Sequence, residues 1–388
     1  MTATAEPAPR EAPDQGRTRA AGPLRRAATR LVLSDWFVLW LSLAYFAALV
    51  PVLPVLGTPA NLANLLSNAW PLLVVALGQT FVMTLGGIDL SQGAVIGLTS
   101  TLGAALIATA GPPEVLSKAP IWGVLIAEGG GVLAGRVWLG ILVMLLAGAL
   151  VGLVNGSLVA WLAMPPFMVT LVALITVGAF AIWLTQSENI RNLPDAYVAL
   201  GKGEIVSIYL GEKDRSEIPR REVHAVLGQA AVIAIALAVA LHLLLERTAF
   251  GRQVVAVGAN RRAAEIAGVP VRRVIVLVFV LSALCATLGG ILYSARLEAG
   301  RPTLGEGTFL LDVIGATVIG GTSLFGGKGR VIWTVFGVMF FVLLSNTLNL
   351  MNLSTFHIDM VKGGVILGAA LLDVARTRLG RGLSGGRA

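Results

Sequence analysis

Residues able to do chemistry are sparse in this chain. The first is a carboxylate between two apolar runs, in Gly86-Gly87-Ile88-Asp89-Leu90-Ser91. A carboxylate at membrane depth costs roughly 2.5–3.5 kcal/mol on insertion scales, so it does not persist there without a use. The two glycines can break a helix, and freed amides together with the Ser91 hydroxyl can hold the carboxylate. Two readings fit. Asp89, Ser91 and Gln79 line a translocation path, or Asp89 caps the next helix at a cytoplasmic end, where it need not be buried. Asn155 sits in the apolar run Gly152-Leu153-Val154-Asn155-Gly156. An amide there needs a hydrogen-bond partner and the glycines admit a close neighbour, which favours helix packing over a place on the path.

Other candidates exclude chemistry. The run Gly320-Gly321-Thr322-Ser323-Leu324-Phe325-Gly326-Gly327-Lys328-Gly329 has the outward look of a phosphate loop. The Walker motif G-x-x-x-x-G-K-[ST] needs glycine where Thr322 stands and a hydroxyl residue where Gly329 stands. No ATPase site is therefore expected in this chain. The glycines serve close helix approach and a tight cytoplasmic turn, with Lys328 and Arg330 at the inner surface. His224, His242 and His357 lie far apart in sequence, which indicates no metal site. Asp359 and Lys362 share a helix face near the outer end of the last apolar run and read as an ion pair. No Ser-His-Asp or paired-carboxylate arrangement emerges, so neither an enzyme nor a cofactor is indicated.

Composition places these residues in a bilayer. Of 388 residues, 56% are hydrophobic and 13% charged, where soluble domains carry roughly 25% charged residues. The apolar runs are continuous rather than alternating, which selects an all-α, polytopic membrane bundle over a β-barrel. A formal net charge of +8 suggests nucleic acid at first sight. The basic residues, however, gather at the termini and in one loop, the pattern of an inner-membrane protein. Cys285 is the single cysteine, which excludes an intrachain disulfide.

A span takes about 20 apolar residues. Ten stretches qualify: 36–56, 68–88, 90–110, 138–162, 166–186, 223–245, 274–296, 308–324, 331–350 and 356–374. Residues 1–30 read as a disordered cytoplasmic tail, 31–375 as the transmembrane domain, and 376–388 as a second cytoplasmic tail. Between the sixth and seventh stretches, the loop 246–273 sets Arg247, Arg252, Arg261, Arg262, Arg272 and Arg273 against Glu246 and Glu265. Short loops rich in arginine stay in the cytosol. With the N-terminus inside, the sixth span returns the chain there, and the remaining four bring Arg376, Arg378, Arg381 and Arg387 back inside. The external loop 111–137 holds Pro112, Pro113, Pro120 and a triple glycine, with room for an interfacial helix. The external loop 187–222 is long enough to form a small cap, with a disordered loop as the alternative. The stretch 308–324 is short and glycine-rich, and either spans or packs inside the protein.

Within the arginine-rich loop, Asn260 is a helix N-cap, Gly268 suits a left-handed C-terminal residue and Pro270 blocks continuation. A helix of about two turns follows, with Ala263, Ile266 and Ala267 on one face. It is too short to persist alone in water, so it must dock on something.

The loop sequence FGRQVVAVGANRRAAEIAGV resembles the cytoplasmic loop of ABC sugar permeases of the ribose, xylose and galactose type. Residues Asn64 to Thr84, the GIDLS run ending at Ser91, Asn155-Gly156 with Pro165 to Thr170, and the run 320–329 resemble the same family in the same order. The resemblance implies a coupling helix seated in a groove of a separate cytoplasmic ATPase, which binds the ATP. Gly251, Arg252, Gly258, Asn260, Ala263, Ala264, Ala267 and Gly268 are the matching loop positions. It further implies a second permease subunit, homodimeric or heterodimeric, an extracytoplasmic solute-binding protein, and a monosaccharide as cargo. The loops 111–137 and 187–222 depart from the simplest family pattern, which leaves binding-protein contact and solute choice open. Related permeases carry nucleosides or other small polar solutes. An ion-coupled secondary transporter is the alternative class, resting on Asp89 alone.

Overall fold

The computed structural model describes residues 34, 36–110, 117–209 and 223–384. The expected N-terminal tail lies outside them. Helices follow the apolar runs, because without water each backbone N–H and C=O must pair within its own segment. In order they are α1 (Phe37–Leu49), α2 (Pro59–Thr84), α3 (Gln92–Ile107), α4 (Val137–Trp161) and α5 (Pro166–Thr185). Next come α6 (Asp195–Lys202), α7 (Gln229–Arg247), α8 (Ala249–Ala259), α9 (Arg261–Ile266) and α10 (Val271–Leu297). α11 (Phe309–Gly320), α12 (Val331–Leu350) and α13 (Thr355–Ser384) complete the order. Two antiparallel hairpins interrupt it: β1 (Ile126–Ala127) with β2 (Gly130–Gly131), and β3 (Glu204–Tyr209) with β4 (Val223–Gly228).

All ten expected stretches are helical, but several ends move. α1 stops at Leu49, ahead of Pro51 and Pro54. α2 begins at Pro59, earlier than expected, because the Thr58 hydroxyl accepts the Asn61 amide and proline suits a first turn. α7 begins at Gln229 because 223–228 pairs with β3 instead of extending the span. α13 stays helical to Ser384, through most of the segment expected as a tail. Among the described residues, α2, α4, α5, α7, α10 and α12 are long and apolar enough to cross a membrane. α1, α3 and α11 are apolar but shorter.

The two loops expected outside the membrane are folded where they are described. Within 117–136 the expected interfacial helix gives way to the β1–β2 hairpin, because the glycines permit a tight reversal. It is tied to the end of α3 by Gly131 N to Ala108 O at 2.9 Å and Leu133 N to Leu106 O at 2.8 Å. In the second loop, α6 and the β3–β4 hairpin form a cap. Its buried Tyr197 hydroxyl is 2.7 Å from the Ser294 hydroxyl of α10. Burial raises the pKa of that phenol, and the bond to Ser294 only partly opposes the rise.

From Val38 onward the helices form one unit, with α10 at its centre, packed on α4, α2, α3 and α6. The most apolar windows of α2 and α10 are 78% and 72% buried, against 28% and 22% in α4 and α5. Leu142, Leu146 and Leu150 of α4 and Val172 and Ile175 of α5 are exposed, as lipid-facing side chains are. Exposed Trp138 and Trp161 sit at the two ends of α4, where an aromatic belt meets headgroups.

The α4–α10 seam depends on small residues. Gly148, Gly152 and Gly156 recur along one face of α4 and meet α10 backbone. A β-carbon at Gly152 would lie 2.6 Å from the Phe279 carbonyl oxygen and 2.8 Å from the Ala283 β-carbon. This is the close approach that small-xxx-small spacing permits. Gly152→Val is expected to destabilise the protein by about 1–3 kcal/mol through overpacking, read as a lower midpoint of thermal unfolding in detergent.

Candidate functional site

Asp89 lies in the short connection between α2 and α3 and is 1% exposed. Its Oδ1 accepts the Ser91 amide at 3.0 Å and the Ser91 hydroxyl at 2.6 Å. Its Oδ2 accepts the Ser282 hydroxyl of α10 at 2.7 Å. The network extends through these hydroxyls. Asn155 Nδ2 of α4 donates to Ser91 Oγ at 2.9 Å, and Gln92 Nε2 of α3 donates to Ser282 Oγ at 2.9 Å and to the Val75 carbonyl of α2 at 3.3 Å. Asp89 thus combines a local turn with a cross-helix bond and does not act as a solvent-exposed cap. Gln79, also fully buried, keeps both amide atoms without a protein partner. Gln79, Asp89 and Ser91, expected along a path, and Asn155, expected in helix packing, are all buried inside the bundle. The sequence reading missed Ser282 and Gln92, whose small polar side chains gave no sign of which carboxylate they face.

The three glycine-rich motifs meet at the end of the bundle that carries the arginines. The Gly327 amide donates to the Thr84 carbonyl at the end of α2, at 2.8 Å. A β-carbon at Gly258, near the end of α8, would collide with that same carbonyl, and one at Gly326 would lie 2.8 Å from the Gly258 oxygen and the Gly86 α-carbon. Only residues without a side chain allow these three backbones to converge. Nearby, Lys328 and Arg330 lie over the Trp333 ring, 5.4 and 5.0 Å from its centroid.

The arginine-rich loop holds two helices rather than one. α8 was not anticipated, although Thr248 caps it by accepting the Gly251 amide at 3.2 Å and Val254 and Val257 supply its buried face. Gly251 belongs to its tight entry from α7, and Arg252 is exposed. α9 forms as expected: Asn260 Oδ1 accepts the Ala263 amide at 2.9 Å, and Gly268 has φ +81°. Its faces are unequal. Ala264 is buried against the protein, whereas Ala263, Ala267 and 81%-exposed Ile266 are uncovered.

At the opposite end of the bundle α2, α10, α11, α12 and α13 enclose an open cleft of about 410 Å³. Asn64 and Asn68 of α2 accept from the Arg296 guanidinium of α10, the first at 3.0 Å. Tyr293 and Phe309 stack, with ring centroids 5.6 Å apart at 25°. Lys362 of α13 donates to both oxygens of Asp312 of α11, at 3.1 and 2.9 Å. This corrects the expected Asp359–Lys362 pair: Lys362 reaches across to the neighbouring helix, where a carboxylate accepts it in bidentate fashion. Ser345, Asn346 and Asn349 of α12 complete the polar wall. These residues lie too far apart in sequence for their common wall to be foreseen.

The bundle is thus lipid-facing at its sides, with a polar cleft at one end and an uncovered capped helix at the other. Residues 61–370 match the family described as branched-chain amino acid transport system / permease component, and the chain belongs to that family. The ribose import permease protein RbsC of Bacillus subtilis (strain 168) is 34% identical over 317 residues, covering 81% of this chain and 85% of that protein. The D-allose transport system permease protein AlsC of Escherichia coli (strain K12) is 29% identical, over 87% of this chain and 90% of its own. The xylose transport system permease protein XylH of the same strain is 29% identical, over 82% and 86%. No solved structure matches the chain.

Ser282→Ala leaves one Asp89 oxygen buried without its donor and should cost about 1.5–3 kcal/mol of stability. In an Asp89→Ala background the same change should cost far less. Thermal unfolding of the four proteins in a double-mutant cycle checks the coupling.

Proposed function

We propose that this chain is the membrane-spanning subunit of an ATP-binding-cassette importer for a monosaccharide. Ten spans cross a bacterial inner membrane with both termini in the cytosol. A separate cytoplasmic ATPase binds the ATP, an extracytoplasmic binding protein delivers the solute, and a second copy of the chain completes the pathway. The observation that carries this reading is α9, a capped helix whose apolar face of Ala263, Ile266 and Ala267 is uncovered. A helix this short needs a partner surface to hold it, and the arginines beside it favour the cytosolic side. The relatives named for ribose, allose and xylose support a monosaccharide as cargo.

In mechanical terms, closure of the ATPase displaces α9. Its neighbour α8 ends at the glycine junction with Thr84 and Gly327. Displacement there acts on the end of α2, and through the Asp89–Ser282 contact on α10. Both helices run on to the polar cleft, so the lever and the solute end share rigid elements. The solute crosses without chemical change, and the partner ATPase supplies the free energy.

Ala263→Trp with Ala267→Trp should abolish ATP-driven accumulation of D-ribose, D-xylose or D-allose while the folded protein stays in the membrane with an unchanged unfolding midpoint. Ala264→Leu should instead lower stability by about 1–3 kcal/mol, because that side faces the protein's own core. Uptake by the double tryptophan variant equal to that of the unaltered protein would refute the coupling role of α9.

A further inference from the structure

We infer that Glu306 and the unwound stretch around it face water at membrane depth, on the side of the bundle formed by α3 and α5, and line the route of the solute. This assignment rests on the permease reading above, in which a second copy of the chain completes that route.

The connection from α10 to α11 does not stay at the surface. Its Gly300 amide donates to the Ile190 carbonyl at 2.8 Å, and from there it descends along α3 without helical structure. The Arg301 amide donates to the Ser100 hydroxyl at 3.1 Å. A β-carbon at Gly97 would collide with the Pro302 carbonyl, and one at Gly93 with the Gly305 carbonyl. Gly93 follows closely on Ser91, which is bonded to Asn155, and Asn155 stands about 9 Å along α4 from Trp161. The descent therefore reaches well inside the hydrocarbon layer, roughly 30 Å thick. α11, with 12 residues, is about 18 Å long and takes up only the remaining depth. Thr303, Glu306 and Gly307 form an exposed edge of the stretch, whereas Pro302, Leu304 and Gly305 are buried. Glu306 stands over Gly178 of α5, where an added β-carbon would lie 3.7 Å from its Oε1. Gly178 is itself about 18 Å along α5 from Pro166. Among the described residues no cation is paired with the Glu306 carboxylate.

Lipid does not suit this edge. A charged side chain at the bilayer centre costs roughly 2.5–3.5 kcal/mol on insertion scales. Irregular backbone at that depth is tolerated only inside protein or beside water. Asp89 meets the same cost by enclosure among its donors. Glu306 is exposed and has no such shell, so water is the neighbour that remains. A carboxylate in that position accepts hydrogen bonds from the hydroxyl or amine groups of a passing solute, and its charge repels anions. The second copy supplies the far wall that keeps lipid away.

Cys285, the single cysteine, is buried, so Glu306→Cys, Thr303→Cys and Leu146→Cys each add one accessible thiol to the full-length chain. Leu146, 61% exposed on α4, is the lipid-facing control. The test is labelling by a charged methanethiosulfonate in cell membranes opened by freeze–thaw, so that the reagent reaches both faces. The thiols at 303 and 306 should react about a hundredfold faster than the one at 146, the factor that corresponds to the cost of a charge at membrane depth. Glu306→Leu should lower ATP-driven uptake of D-ribose, D-xylose or D-allose about tenfold through a lost hydrogen bond, with an unchanged unfolding midpoint. Glu306→Gln, which keeps an acceptor, should retain most of that uptake. Thiols at 303 and 306 as unreactive as the control, or uptake by Glu306→Leu equal to that of the unaltered protein, would overturn the assignment. If the unaltered protein accumulates an aldose with ATP in that case, the importer reading stands and only the site falls. Reactive thiols at 303 and 306 in a protein without any ATP-dependent uptake would sink the importer reading and leave the water-facing edge in place.

Discussion

Burying a carboxylate among helices restricts everything that touches it. Even after relaxation, removing an ion from water costs several kcal/mol, so the donors around Asp89 must stay in place wherever the bundle moves. Those donors are Ser91, beside it in the chain, and Ser282, on the central helix. Asn155 and Gln92 are bonded to the same hydroxyls. The ends of α2 and α3, the last third of α4 and the middle of α10 are thereby tied to one charged group. None can slide without costing another its partner.

Close backbone contact extends this rigidity. Gly152 and its neighbours bring α4 onto α10, and Gly258 and Gly326 bring α8 and the turn after α11 onto the end of α2. Interfaces packed this tightly are not continuously deformable, so displacement at one end passes along whole helices. α2 and α10 run from the arginine-bearing end to the polar cleft. In an importer, this is the arrangement needed to carry a push from a separate motor to a solute.

The two ends differ in what they leave unfilled. At the arginine-bearing end an apolar surface is uncovered on α9, which suits a protein partner. At the other end polar groups converge with stacked aromatic rings around an open cleft. The cap of α6 and the β3–β4 hairpin stands beside that cleft and shares Arg296 and Tyr293 with it through the adjoining cavity.

Local pattern determined much of this protein. Continuous apolar runs define membrane helices because a bilayer offers the backbone no water. Asn260, Gly268 and Pro270 delimit α9 because capping and left-handed geometry are properties of single residues. Other features were decided only when helices met. Lys362 chose Asp312 over Asp359, Asp89 found Ser282, and residues from α2, α10, α11, α12 and α13 came to share one cleft. The physical reason is that such contacts depend on the rotation and depth of each helix against its neighbours. Periodicity within one segment records which face is apolar, but not which distant side chain will stand opposite it.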